Sequence, residues 1–199
     1  MPIRKTGPKG LTRRTDLKRC MSFSRPAAAF AAALTVSLLA APPSAAGACE
    51  GAGESPSQVT NRMVVRATLC VLNAKRARHA RWPLRLNREL SGAARRHSRA
   101  MARHRFFSHT SPGGASFVDR IRSTGYLAGA RSWAVGENIA YGSGSRSSPR
   151  AIGRAWMNSP PHRANILSSS FREIGIGVAG GTPVGGGGAT YTTDFGRRG

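Results

Sequence analysis

Two segments near the end of the chain alternate apolar and polar side chains, the pattern of β-strands with one buried face. They are residues 172–179 and 189–195, and the connection between them, residues 180–188, is rich in glycine. Alternating segments joined in this way favour an antiparallel hairpin. Residues 134–141 form a third candidate strand, so the sequence predicts a short, mostly antiparallel sheet.

Helical periodicity precedes these strands. Residues 58–79 place apolar side chains at three- and four-residue spacings, with Ser57 as the expected N-cap. Pro83 interrupts the pattern, because proline restricts the residue before it to extended geometry. Asn87 is the expected cap of a second helix that runs to about His104.

Shorter helices are expected at residues 116–123 and 149–158, the second with Pro149 at a favourable first-turn position. Helices flanking a short antiparallel sheet predict an α/β fold, an α/β/α sandwich. We assign the folded domain to residues 59–196, preceded by a flexible connecting segment at residues 49–58. A single hydrophobic core suffices for a domain of about 140 residues.

The first 48 residues have the layout of an export signal. A basic head precedes an apolar stretch, residues 27–41, and small residues at 46–48 offer a cleavage site. An uncleaved anchor is the alternative, and the apolar stretch is short for a membrane span. Met21 is an alternative start, and residues 12–18 resemble a twin-arginine signal, although Asp16 favours the general secretory route. We therefore expect a secreted, extracellular or cell-envelope-associated protein.

The cysteines fit export. Cys20 lies in the signal region, whereas Cys49 and Cys70 remain in the exported chain, where an intramolecular disulfide is the natural expectation. The alternative makes Cys49 a lipid-bearing residue, because Ala46, Gly47 and Ala48 before it have the small side chains of a lipoprotein signal. Lipidation would leave Cys70 without a partner, which favours the disulfide.

The whole chain has 31 basic and 8 acidic residues. Without the eight basic residues and one acidic residue of positions 1–48, 23 basic and 7 acidic residues remain, a net charge of +16. Such a surface associates with polyanions, and outside the cell we expect anionic envelope polymers or lipids as partners. Nucleic acid is disfavoured, because the arginines are scattered and no nucleic-acid motif is present. We expect a monomer.

Three short segments each set one titratable side chain among apolar, glycine and proline residues. His109 lies in FFSHTSP (residues 106–112), Glu137 in GENIA (residues 136–140) and His162 in SPPHRANIL (residues 159–167). Two imidazoles and a carboxylate that converge can bind zinc or another divalent metal. They can equally form a hydrogen-bonded structural cluster, and the spacing leaves both open.

The order and surroundings of these segments resemble the compact bacterial branch of the CAP superfamily, which groups cysteine-rich secretory proteins, antigen 5 and plant PR-1. The resemblance covers roughly residues 59–196 and implies the same sandwich fold. It also implies a cleft lined by two histidines and two glutamates, three of which match His109, Glu137 and His162. Ser159 stands at the fourth position, which weakens the metal interpretation, and Glu173 is a possible replacement.

The sequence favours binding over catalysis. Ser108 and Ser111 flank His109, but the chain has no GxSxG elbow and no HExxH helix. We expect a secreted or envelope-associated, non-catalytic binding module whose cleft takes a divalent metal or a small ligand. The alternative is a metal-dependent hydrolase of cell-wall or protein substrates, with Glu137 as general base.

Overall fold

The first long helix and the second each begin at a side chain that caps them. The computed structural model describes residues 49–199, so the expected export signal lies outside the described residues. Helix α1 spans Asn61–Ala77, and its cap is Thr60, not the predicted Ser57, because Thr60 Oγ1 accepts a hydrogen bond from the Met63 amide at 3.3 Å. Helix α2 spans Arg88–His104 and is capped by Asn87 as predicted.

Three shorter helices follow. Helix α3 spans Phe117–Arg122 and α4 spans Pro149–Asn158, both close to their predicted bounds. Helix α5, Pro160–Leu167, was not predicted. Its two prolines restrict the backbone before them, but at the start of a helix they are favourable, because the first turn needs no amide donor.

The sheet has four strands in the order β1–β3–β4–β2. The predicted strands are β2 (Trp133–Gly142), β3 (Glu173–Gly180) and β4 (Ala189–Arg198), which pair antiparallel. A two-residue strand β1, Arg85–Leu86, adds one short parallel pairing with β3. The short, mostly antiparallel sheet is therefore confirmed.

Helices cover both faces of this sheet. Helices α1, α4 and α5 pack their apolar side chains on one face, in a core that contains Leu72, Trp156 and Ile174. Helix α2 covers the other face and lies directly on β3. A side chain on Gly175 or Gly177 would overlap the backbone of α2, so these glycines permit the close approach. The predicted α/β/α sandwich is confirmed.

The segment before α1 is attached covalently to the domain. Cys49 and Cys70 form a disulfide, as predicted, so the Cys49 sulfur that the lipidation alternative requires is already bonded. Ala52 is buried, and its carbonyl accepts a hydrogen bond from the Arg150 amide at 2.8 Å. Among residues 49–199, no helix has the length and apolar character needed to cross a membrane.

Candidate functional site

The loop that carries His109 is held from two sides. His97 of α2 is buried, and its Nε2 lies 2.9 Å from the Ser108 carbonyl. Burial lowers the pKa of His97, so its ring is neutral, and Nε2 carries the proton that it donates to this carbonyl. From α3, one guanidinium nitrogen of Arg120 donates to the carbonyls of His109 at 2.9 Å and Ala115 at 3.1 Å.

Glu137 lies at the centre of the site, with its side chain only 1 % exposed. His109 Nδ1 is 2.7 Å from Glu137 Oε1, and an Arg120 guanidinium nitrogen is 2.6 Å from Oε2. Burial alone would raise the pKa of Glu137, but the His109 hydrogen bond and the Arg120 charge outweigh it and hold this pKa below its ordinary value. Glu137 is therefore an ionised carboxylate with a donor at each oxygen.

This pairing fixes the direction in which His109 presents its lone pair. An ionised carboxylate only accepts hydrogen bonds, so Nδ1 must carry the proton that it shares with Glu137. Whenever the His109 ring is neutral, Nε2 is left as a hydrogen-bond acceptor. The side chain is 50 % exposed, so a ligand can reach this acceptor from solvent.

His162 reaches the same region from α5, on the other side of edge strand β2. Its backbone carbonyl accepts from Asn138 Nδ2 at 3.1 Å, and its Nδ1 is 2.8 Å from Ser159 Oγ. Burial, and then the charge of nearby His109, lower the pKa of His162, so this ring is neutral at pH 7. His109 contacts β2 through Glu137, and His162 contacts it through Asn138, and we call this region the histidine cleft.

The sequence reasoning missed a second buried acid, Asp194 of β4. It is the cross-strand partner of Glu137, is 1 % exposed, and accepts no hydrogen bond from any N–H or O–H group of residues 49–199. Burial, and then the negative charge of Glu137, raise its pKa well above the ordinary value. Its surroundings therefore favour the protonated form of Asp194 beside the ionised Glu137.

Arg120 was missed as well. The signal for Asp194 was an acid inside an otherwise uncharged run, residues 189–196, as Glu137 is an acid inside an otherwise apolar strand. Arg120 carried no such signal, because an arginine in a short helix is usually solvated, whereas here its side chain is only 10 % exposed.

The remaining predicted residues lie in different surroundings. Ser159 belongs to the histidine cleft through its hydrogen bond with His162. Glu173 lies elsewhere: its carboxylate accepts from Asn87 Nδ2 at 2.9 Å and from the Tyr126 hydroxyl at 2.7 Å. The Ser108 hydroxyl accepts from the Thr110 amide, and the Ser111 hydroxyl accepts from Arg120. Within residues 49–199, neither hydroxyl is paired with an imidazole.

An exposed aromatic pair stands beside the cleft. Phe107 precedes His109 by two residues, and Tyr141 lies on β2 beyond Glu137. Their rings meet edge to face at a centroid distance of 5.0 Å, and both remain substantially exposed. Flat apolar surface is therefore available near the two imidazoles.

The family profile described as "CAP: Cysteine-rich secretory protein family" matches residues 69–193, more than half of the chain. The chain belongs to the CAP family. Two Bacillus subtilis proteins are similar to it: the uncharacterized protein YkwD, 37 % identical over 125 residues, and the uncharacterized membrane protein YlbC, 32 % identical over 110 residues. These matches cover 62 % and 55 % of the chain, and 44 % and 30 % of the two relatives.

Solved structures support the CAP fold. An extracellular protein from Bacillus anthracis that contains an SCP domain aligns with a TM-score of 0.55 and 27 % identity, over 69 % of this chain and 43 % of that one. An outer surface protein from Borrelia burgdorferi aligns with a TM-score of 0.58, over 71 % of this chain and 97 % of that one. Its identity is 18 %, so it shows the fold alone.

A three-ligand metal centre does not fit this CAP cleft as it is arranged. Within residues 49–199, no three side chains of His, Cys, Asp or Glu come together in a group that could hold a metal ion. Both oxygens of Glu137 are engaged by His109 and Arg120, and a guanidinium at the carboxylate repels a cation. Glu137 is therefore placed to orient His109.

Proposed function

We propose that this protein is an exported CAP-domain binding module, not an enzyme, which holds a small polar ligand in the histidine cleft. The observation that carries the proposal is the 2.7 Å contact between His109 Nδ1 and Glu137 Oε1. Because the Glu137 carboxylate accepts a hydrogen bond from Nδ1–H, Nε2 of a neutral His109 ring is the acceptor presented to a ligand.

Export is supported by three independent features. The first 48 residues have the layout of a signal, the Cys49–Cys70 disulfide suits an oxidising compartment, and the similar Bacillus anthracis protein is extracellular. We further propose that the net positive charge brings the protein to anionic polymers or lipids of the envelope.

Binding accounts for the geometry better than hydrolysis does. A general base works best when its pKa lies near the working pH. The pKa of Glu137 is held below its ordinary value, and both of its oxygens are occupied by donors. Ser108 and Ser111 have no imidazole partner to activate them. These arrangements favour a fixed recognition surface.

The cleft selects a ligand by its chemistry. When its ring is neutral, His109 offers an acceptor, so the ligand should supply a hydroxyl or ammonium donor at this point. The Phe107–Tyr141 pair offers an apolar surface to the rest of the molecule. A hydroxyl-rich ring with one apolar face, such as a sugar, satisfies both requirements.

Ligand titrations followed by imidazole NMR test the proposal. N-acetylglucosamine and spermidine supply donors, acetate supplies only acceptors, and Zn²⁺ tests coordination. We expect a donor-bearing probe to shift the ring signals of His109 and His162, and acetate to leave them unchanged. The exposed surface histidine His104 is the control, since His104→Gln should alter nothing.

Three results would contradict the proposal. Acetate shifting the rings, or no donor-bearing probe shifting them, would remove the acceptor role of His109. Stoichiometric Zn²⁺ binding that is lost in both His109→Ala and His162→Ala would instead establish the metal site expected from the sequence.

A further inference from the structure

A groove of about 440 Å³ lies where the loop before β1 meets the start of β3 and the end of β4. It is separate from the histidine cleft, whose residues do not line it. Its lining combines one exposed tryptophan with four arginines and one glutamate: Trp82, Arg85, Arg172, Arg197, Arg198 and Glu173. We call it the Trp82 groove.

The positive charge of the Trp82 groove is not compensated within the described domain. No arginine of the groove forms a salt bridge with any acid among residues 49–199. The one acid in the lining, Glu173, accepts hydrogen bonds from the neutral donors Asn87 and Tyr126. The buried Arg76 behind the groove has its pKa lowered by burial and then by the charges of Arg172 and Arg81, which shows how closely the cations are grouped.

Several lining groups are held in place from behind. One guanidinium nitrogen of Arg172 donates to the carbonyls of Ser169 and Phe171, at 2.6 and 3.0 Å. Arg198 donates to the Tyr126 carbonyl at 2.9 Å and lies 5.0 Å from the centre of the Tyr126 ring. Two of the four cations are therefore positioned before any ligand arrives.

The loop that carries Trp82 is anchored in the same way. Buried Arg76 donates from Nε to the Trp82 carbonyl at 2.7 Å, so the backbone is fixed. The indole ring is left 73 % exposed. An exposed large aromatic on an anchored loop beside unpaired arginines is the combination found at binding hot spots.

We propose that the Trp82 groove binds an anionic glycan. The guanidinium groups would hold carboxylates or phosphates, which match their planar donor geometry, and the indole face would stack on a sugar ring. This site gives a location to the envelope association proposed above and is independent of the histidine cleft. Single-stranded nucleic acid fits less well, because successive bases require several stacking platforms and the groove has one tryptophan.

Titration calorimetry with a galacturonate octamer tests the groove. Malto-octaose is the neutral glycan, inorganic polyphosphate is a polyanion without sugar, and dT8 is the nucleic-acid probe. Arg85→Ser with Arg197→Ser removes two exposed cations of the lining. Arg95→Ser with Arg96→Ser removes the same charge from the exposed surface of α2 and is the matched control.

The groove double variant should bind the galacturonate octamer about tenfold more weakly, and the α2 double variant nearly as well as wild type. Trp82→Ala should lower the affinity for the galacturonate octamer but not the affinity for polyphosphate. Malto-octaose should bind measurably neither to the wild type nor to Trp82→Ala.

Four results would overturn the inference. Equal losses in the two double variants would show diffuse attraction without a groove. A Trp82→Ala variant with unchanged octamer affinity would exclude stacking. Tighter binding of dT8 than of the octamer, dependent on Trp82, would make this a nucleic-acid site. Absence of any polyanion binding would refute the envelope association itself.

Discussion

Replacing Arg120 by methionine is the sharpest perturbation of the site. Methionine keeps the apolar stem but removes the guanidinium that neutralises Glu137 and binds the carbonyls of His109 and Ala115. The variant therefore leaves a buried carboxylate beside the buried acid Asp194 without its guanidinium partner.

The structure sets the size of the effect. The side chains of Arg120 and Glu137 are 10 % and 1 % exposed, so this is a buried ion pair. Removing one partner of such a pair costs about 3–5 kcal/mol of unfolding free energy. The lowered pKa of Glu137 means that its stabilising effect is present above its unfolded-state pKa and is lost as the pH falls through its folded-state pKa. In Arg120→Met, Glu137 is instead destabilising at neutral pH, so the difference from wild type should grow from pH 4 to pH 7.

Urea denaturation at these pH values, monitored by circular dichroism, measures the effect. Arg122→Met is the matched control, because Arg122 lies on the same helix and pairs with Asp119 in an exposed bridge. The control should stay close to wild type, and adding Glu137→Gln should recover part of the Arg120→Met loss. A loss no larger than that of the control, with no dependence on pH, would refute the buried-pair reasoning.

Further variants test the surroundings. The stability of Asp194→Asn relative to wild type should increase from pH 4 to pH 7, because an acid with a raised folded-state pKa is destabilising above its unfolded-state pKa. A difference that does not depend on pH would contradict this. Cys49→Ser with Cys70→Ser should lose about 3 kcal/mol of unfolding free energy in urea titrations, and no loss would show that the disulfide is dispensable. Gly177→Ala should lose about 3 kcal/mol by overlap with α2, whereas a neutral result would place the helix farther from β3.

Local patterns predicted most of the fold. Asn87, Pro149 and the alternation in β3 and β4 each have one dominant local interpretation, and the structure agrees with it. The errors also have local causes. Ser57 was predicted as the cap where the structure has Thr60, because both side chains can accept the capping hydrogen bond. Helix α5 was not predicted, because its two prolines can either break or begin a helix.

The site was predictable only in part. His109, Glu137 and His162 were predicted because each is a titratable side chain in apolar surroundings. In the structure, the His109 ring bonds to Glu137 of β2, and the His162 carbonyl accepts from Asn138 of the same strand. The contacts that Glu137 makes depend on strand register and helix placement. Asp194 opposes Glu137 through the β2–β4 register, and Arg120 reaches it from α3, neither of which spacing along the chain reveals. The sequence predicted Glu137 as a candidate metal ligand, whereas its contacts with His109 and Arg120 follow from the fold.

The position of the proton on the neutral His109 ring tests the central claim most directly. The nitrogen chemical shifts of this imidazole, recorded in the purified protein above the pH at which the ring becomes neutral, distinguish the two tautomers. We predict a proton on Nδ1 and a bare Nε2, with the preference weakened in Glu137→Gln. A proton on Nε2 in the wild-type protein would contradict the account, because the cleft would then present a donor where we propose an acceptor.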